Sequence, residues 1–325
     1  MRNAVLKKKI LLVLIWSIVA YFLYKFLKPV DFNRVLEEIQ NANSKWLVVG
    51  FFFNFSILII WTALWSILFP RNISVSFWRL FQINTFMSTS CNTLPFPGGH
   101  AFGLVLLARL AKVKHSVALS VLALDQMMEG IVKVVILALA TSFSPLPEQM
   151  QKGFQFFILL ILIFSISMFY AAHKIPEKIL KEKASSTLFF KFKMFISQWA
   201  GHLEVLKDYR VFCLGLSLAL VMMALQVFGI WAVQKSLGQV IPFLTTILVM
   251  AALNLATIFP LTPGNFGVYE ATALLIYQYA GFSLEVSLSL AFLQHICFLV
   301  PMAGTGWMVF LFKTLSAVDN RNDFK

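Results

Sequence analysis

The sequence predicts an all-α, polytopic integral membrane protein with six full spans and two re-entrant helical hairpins in an inverted repeat. Three observations carry this. Hydrophobic residues make up 59% of the chain and charged residues 13%, with a mean hydropathy of +0.81, far from the mix of a soluble domain. Apolar runs of spanning length recur at 10–27, 46–69, 116–140, 154–172, 211–233 and 284–312. Two more apolar stretches are each broken by a polar Pro-Gly kink, one per half of the chain. Such paired interruptions point to a substrate site built from broken helices.

Taken in chain order, the first run follows a basic head, Lys7-Lys8-Lys9, and ends in Tyr-Phe-Leu-Tyr without a small-residue cleavage site, so it reads as an uncleaved helix. The first break is Asn92-Thr93-Leu94-Pro95-Phe96-Pro97-Gly98-Gly99-His100, inside a hairpin spanning 78–114. The second is Pro260-Leu261-Thr262-Pro263-Gly264-Asn265-Phe266-Gly267, inside a hairpin spanning 241–283. Gly98, Gly99, Gly264 and Gly267 give the tips permissive backbone, and Pro97 and Pro263 stop the preceding helix. Between the halves (1–172 and 211–325) lies a polar connection, 173–210, with an excess of lysine and arginine.

Charge sets the orientation. The basic connection belongs in the cytoplasm by the positive-inside rule, and Lys7-Lys8-Lys9 goes with it. If each kinked stretch enters the membrane and returns, both termini are cytoplasmic, and Arg71, Arg79, Arg109, Lys112 and Lys114 also fall inside. The first hairpin then opens from the cytoplasm and the second from outside. That is the layout used for alternating access around a midplane site. Kinked but continuous spans are the alternative, since membrane helices tolerate Pro and Gly.

Several polar residues stand inside apolar segments, where ionisable groups mark pathways or sites. Asp125, Glu129 and Lys133 are spaced four apart and share one helix face; as a plain packing device, Glu129 would simply pair with Lys133. Glu270 follows the second break and either binds a ligand or caps the next helix. His295 sits mid-helix beside Gln294. His100 occupies the first tip, where Gly99-xxx-Gly103 also offers a close packing face. Arg109 closes the first hairpin and could hold a phosphate. Asn92, Asn254 and Asn265 supply amides near the breaks. Helix starts at Gly98 and Gly264 would aim amide ends at an anionic headgroup. The candidate substrate-binding set is therefore His100, Arg109, Asp125, Glu129, Asn265, Glu270 and His295.

Other functions are excluded or unsupported. The net charge of +13 sits at segment ends, without a nucleic-acid recognition element. Cys91, Cys213 and Cys297 are isolated, which implies neither a disulfide framework nor a metal site. No catalytic motif, metal motif or Walker A loop occurs, so neither a cofactor nor an enzyme is expected, and an ATP-driven pump is ruled out.

These features resemble the lysylphosphatidylglycerol synthase transmembrane family. The segment Pro260-Leu261-Thr262-Pro263-Gly264-Asn265-Phe266-Gly267-Val268-Tyr269-Glu270 is similar to that family's "P-x-x-PGG-x-G-x-x-E" stretch, and Pro95-Phe96-Pro97-Gly98-Gly99 with Arg109 is similar to its first-half counterpart. Two departures stand out. The family's Glu-Arg-x-x-Asp is here Asp125-Gln126-Met127-Met128-Glu129, without the arginine, and His295 stands where an arginine is usual. The resemblance implies a flippase-like protein of the bacterial inner membrane that handles a phospholipid or polyprenyl-phosphate-linked lipid with an anionic headgroup. It implies no aminoacyl transfer, since 325 residues leave no room for that soluble domain. Two other classes fit the same residues: a membrane-embedded enzyme acting on such lipids, and an accessory partner of envelope-biosynthesis enzymes.

Overall fold

A computed structural model describes residues 28–94, 98–143, 148–179, 188–257 and 262–312. The expected first span at 10–27, both ends of the chain, Pro97 and the segment 258–261 lie outside the described residues. What is described is helical throughout, with no strand among these residues.

The described residues form eleven α-helices in order. A short helix, α1 (Phe32–Gln40), starts under Asp31, whose side chain accepts from the Asn33 and Arg34 amides, satisfying donors that a helix start leaves open. It lies against α11 (Leu284–Leu299), where the Ser289 hydroxyl reaches the Val35 carbonyl at 3.3 Å. The long apolar α2 (Ser44–Leu68) packs along α8 (Tyr209–Ser236), and this pair forms the backbone of the bundle. Asn43 and Asp208 cap the two helices.

The first kinked stretch forms a broken pair, α3 (Phe77–Thr93) and α4 (Gly98–Leu110). Their register is legible in the glycines. A Cβ on Gly99 would come within 2.6 Å of the Cys91 Cα, and one on Gly103 within 2.8 Å of the Met87 side chain. As position 99 faces 91, position 103 faces 87, which defines an antiparallel hairpin. The second stretch pairs α9 (Phe243–Ala256) with α10 (Val268–Tyr279). Thr246 near its start and Tyr277 near its end both bind the Gln234 side chain, at 2.7 and 3.0 Å. At 13 and 14 residues, α4 and α9 have the length of re-entrant rather than spanning helices.

Among the described residues, four helices are long and apolar enough to cross a membrane: Ser44–Leu68, Gln151–Lys174, Tyr209–Ser236 and Leu284–Phe312. They coincide with expected spans to within three residues at each end. The run at 116–140 becomes α5 (His115–Phe143), equally long but charged at Asp125, Glu129 and Lys133. It packs on α8 and α9. The fourth expected run lies in α6 (Glu148–Ile179). The connection 173–210 contains structure the sequence reading did not anticipate: α7 (Leu188–Gly201) and a 3-10 turn, Glu204–Lys207. Its apolar residues cover α5 and α6, with Leu203 fully buried and Val205 and Leu206 nearly so. Outside the membrane spans, burial pushes the His202 imidazole below its ordinary pKa; Glu204 opposes the shift and Lys114 adds to it.

After Leu299, α11 widens into a π-turn, Val300–Gly304, containing Pro301. Proline cannot donate to the helix ladder, which frees carbonyls for other partners. One of these, on Ala303, accepts from the Thr89 hydroxyl of α3 at 2.7 Å. The first hairpin is thereby docked onto the last span.

Candidate functional site

Both breaks converge on one cavity of about 480 Å³, a volume in the range that holds a small ligand or headgroup. From the first hairpin come Ser88, Asn92 and His100; from the second, Asn254, Thr257 and Asn265. Helix α5 adds Gln126, Glu129 and Lys133, and α8 adds Gln226. Methionine, aromatic and aliphatic side chains close the remaining walls, including Phe157 and Phe164 from α6.

The sequence places these side chains for local reasons. Spacing by four sets Glu129 and Lys133 on one turn, where Lys133 Nζ reaches Glu129 Oε2 at 2.9 Å. The two side chains are 14% and 23% exposed, so this charge pair belongs to the cavity wall rather than to an open surface. One turn earlier, Asp125 is fully buried. It does not line the cavity; it accepts from the Trp61 indole at 3.0 Å and from the Gln126 amide at 3.3 Å. Because Trp61 and Gln126 do line it, Asp125 stands one layer behind the wall and orients it.

The second break has a different logic. The backbone turns through Gly264 (φ +62°), Asn265 (φ +56°) and Gly267 (φ +86°). These left-handed conformations suit glycine and, among other residues, asparagine. His295, 2% exposed, locks the turn: Nε2 donates to the Gly264 carbonyl at 2.8 Å, while Nδ1 lies 2.6 Å from Glu270 Oε1. Tyr269 stacks on the imidazole at 4.2 Å with the planes 9° apart. Glu270 also accepts from the Gly267 amide at 2.7 Å, capping α10.

The candidate residues of the sequence reading therefore separate. His100, Glu129 and Asn265 line the cavity. Glu270 and His295 do not; they brace the second tip from behind. The expectation that a helix start at Gly264 offers amides to an anion is corrected, because Pro263–Asn265 forms a 3-10 turn, α10 begins at Val268, and Glu270 already holds the Gly267 amide. Arg109 is also elsewhere, exposed at the far end of α4 and away from the tip. Of the break residues, Gly98 starts α4 and Gly99 allows the hairpin arms to touch. Sequence reasoning missed Gln226 and Gln126. A signal existed for Gln226, since an amide inside the apolar run Val-Met-Met-Ala-Leu-Gln226 is costly unless it meets another polar group. It does so in Asn254, 3.1 Å away.

Among the described residues no group of acidic, histidine and cysteine side chains is arranged to hold a metal. Residues 9–306 match the sequence profile of a protein family described as the lysylphosphatidylglycerol synthase TM region. No match was found among curated proteins.

Proposed function

Because the chain belongs to the lysylphosphatidylglycerol synthase TM region family, and so is a membrane protein linked to lipid metabolism, we propose that it is a lipid flippase. It moves a phospholipid or polyprenyl-phosphate-linked lipid between leaflets and leaves it chemically unchanged. The observation that carries this reading is the cavity shared by both broken hairpins and the charged face of α5. A chamber with amide and charged groups on part of an otherwise apolar wall lets a headgroup cross while its chains stay in the bilayer. Two hairpins of opposite topology, one opening to each side of the bacterial inner membrane, would provide alternating access. Each docks on spans contributed by the other half: α5 meets α9, and the π-turn of α11 meets α3. Lys133 is the natural counter-charge for a lipid phosphate, exchanged from Glu129 as the headgroup arrives. Both termini lie in the cytoplasm in this arrangement.

The test is translocation of acyl-labelled lipids in vesicles reconstituted with the full chain. Wild-type protein should move at least one phosphate-bearing lipid, and Glu129→Gln should slow it. If mass spectrometry shows the lipid altered, the protein is an enzyme. If a broad lipid panel stays in its original leaflet, the flippase reading is wrong.

A further inference from the structure

We infer that the headgroup carried by this cavity is neutral and rich in hydroxyls, such as a sugar, rather than a bare anion or a terminal ammonium. The inference rests on the flippase reading and deepens it by naming a substrate class. Donors, acceptors and charge in the wall all bear on the choice of headgroup. Five side-chain amides face the cavity: Asn92, Gln126, Gln226, Asn254 and Asn265. Backbone carbonyls fix the orientation of two of them. The amide nitrogen of Asn92 donates to the Ser88 carbonyl at 2.8 Å, and that of Asn254 donates to the Met250 carbonyl at 3.0 Å. Their oxygens are thereby the ends left for a ligand. Asn254 also donates to Gln226 Oε1, which leaves the Gln226 amide nitrogen as a donor. Asn265 adds an amide at the second tip; its Oδ1 is sealed from the cavity and accepts no hydrogen bond from the described residues, so the side chain gains by turning that oxygen toward a donor that enters.

Charge decides among ligands. Glu129 and Lys133 already neutralise each other, and the expected anion partner, Arg109, lies outside the wall. A second unpaired charge in this low-dielectric chamber would be penalised. Hydroxyls add none, and each both donates and accepts, which matches a wall that mixes amide oxygens with amide hydrogens. A lipid phosphate gains Lys133 only at the expense of Glu129, so the charge pair does not favour an anionic headgroup and the amides read the group beyond the phosphate.

The experiment compares acyl-labelled glucosyl diacylglycerol, phosphatidylglycerol, phosphatidylethanolamine and phosphatidylcholine in vesicles containing the full chain. The glucosyl lipid should move about tenfold faster than phosphatidylcholine, whose headgroup cannot donate, the loss expected for roughly one hydrogen bond left unmade. Asn265→Gly keeps the left-handed turn but removes the acceptor, and should erase most of that preference. Thermal unfolding in amine-oxide micelles is the second measurement, and the glucosyl lipid should raise the midpoint more than the other three. Phosphatidylglycerol, whose glycerol carries two hydroxyls beyond the phosphate, should rank next to the glucosyl lipid; if phosphatidylethanolamine or phosphatidylcholine moves fastest, the inference is overturned while the flippase reading survives. Binding of the glucosyl lipid without movement of any lipid would sink the flippase reading and keep the recognition. Neither movement nor preferential stabilisation would sink both.

Discussion

Replacing His295 by phenylalanine tests whether the second tip is held from behind. The side chain is almost wholly buried and makes two hydrogen bonds, to the Gly264 carbonyl at 2.8 Å and to Glu270 at 2.6 Å. Phenylalanine preserves the volume and the stack on Tyr269 but removes both polar contacts. A hydrogen bond to a charged group contributes about 1.5–3 kcal/mol and a neutral one about 1 kcal/mol, so the loss should be about 3 kcal/mol. Unfolding entropy of about 2.1 cal/mol/K per residue, over a chain of 325 residues, gives about 0.7 kcal/mol per degree. The unfolding midpoint should then fall by about 4 °C. Glu270→Gln should cost less alone and add little to His295→Phe, because the partner is already gone. Thermal unfolding of the four proteins in one detergent measures both quantities. A melting point for His295→Phe within about 1 °C of wild type, or full additivity with Glu270→Gln, would refute the lock.

Other expectations follow from the same geometry. Glu129→Gln should reduce lipid movement about tenfold or more and also lower the melting point, because it leaves Lys133 without its partner in a largely buried wall; intact transport would reverse that assignment. Gly99→Ala should destabilise by about 1–3 kcal/mol, because its Cβ would meet the α3 backbone, which cannot yield as a side-chain end can. Expression and melting of Gly99→Ala beside Gly98→Ala, where the nearest atom is 3.7 Å away, provide the comparison. In a Cys213→Ser background, a charged thiol reagent should label Cys91, which lines the cavity, and spare buried Cys297; protection of Cys91 by bound lipid would tie the label to the site. Thr89→Val should loosen the first hairpin from the π-turn and increase hydrogen exchange in 87–103 relative to 246–277.

The fold was legible where hydrophobicity alone decides it. Four long apolar runs became four span-length helices, and both Pro-Gly interruptions became breaks between paired short helices. The helix α7 was hidden because its sequence, Leu-Phe-Phe-Lys-Phe-Lys-Met-Phe, mixes lysines with aromatics, and the lysines dominated the reading of 173–210 as a polar connection. At the site, residue type and proximity to a break predicted who would be nearby. They could not predict which way each side chain faces. His295 and Glu270 lie on α11 and α10, and only packing between these helices turns them toward each other instead of toward the cavity. Asp125 and Glu129 sit one turn apart, yet one is sealed by Trp61 and the other faces the chamber.

That division has a physical rationale for a transporter. A tip built from left-handed residues holds its shape only if something else restrains it, and a group that restrains backbone cannot also release and rebind a substrate. His295 and Glu270 carry the restraint; the imidazole stacks on Tyr269, from which a buried chain of hydrogen bonds runs through Gln294, Tyr277 and Gln234 to Thr246. This chain ties the second hairpin to α8 and α11. The first hairpin is held by separate contacts, among them the Thr89 bond to Ala303, the Asn84 amide to the Thr62 hydroxyl at 3.3 Å and a 3.5 Å contact from Ser88 to the Met302 sulfur. If one hairpin moves against a fixed frame as a headgroup passes, the linked chain behind the second tip marks that hairpin as part of the frame and the first as the one that moves. Cross-linking each hairpin to its neighbours should therefore stop transport at the first tip and be tolerated at the second, and the opposite pattern would show that the polar chain is what opens.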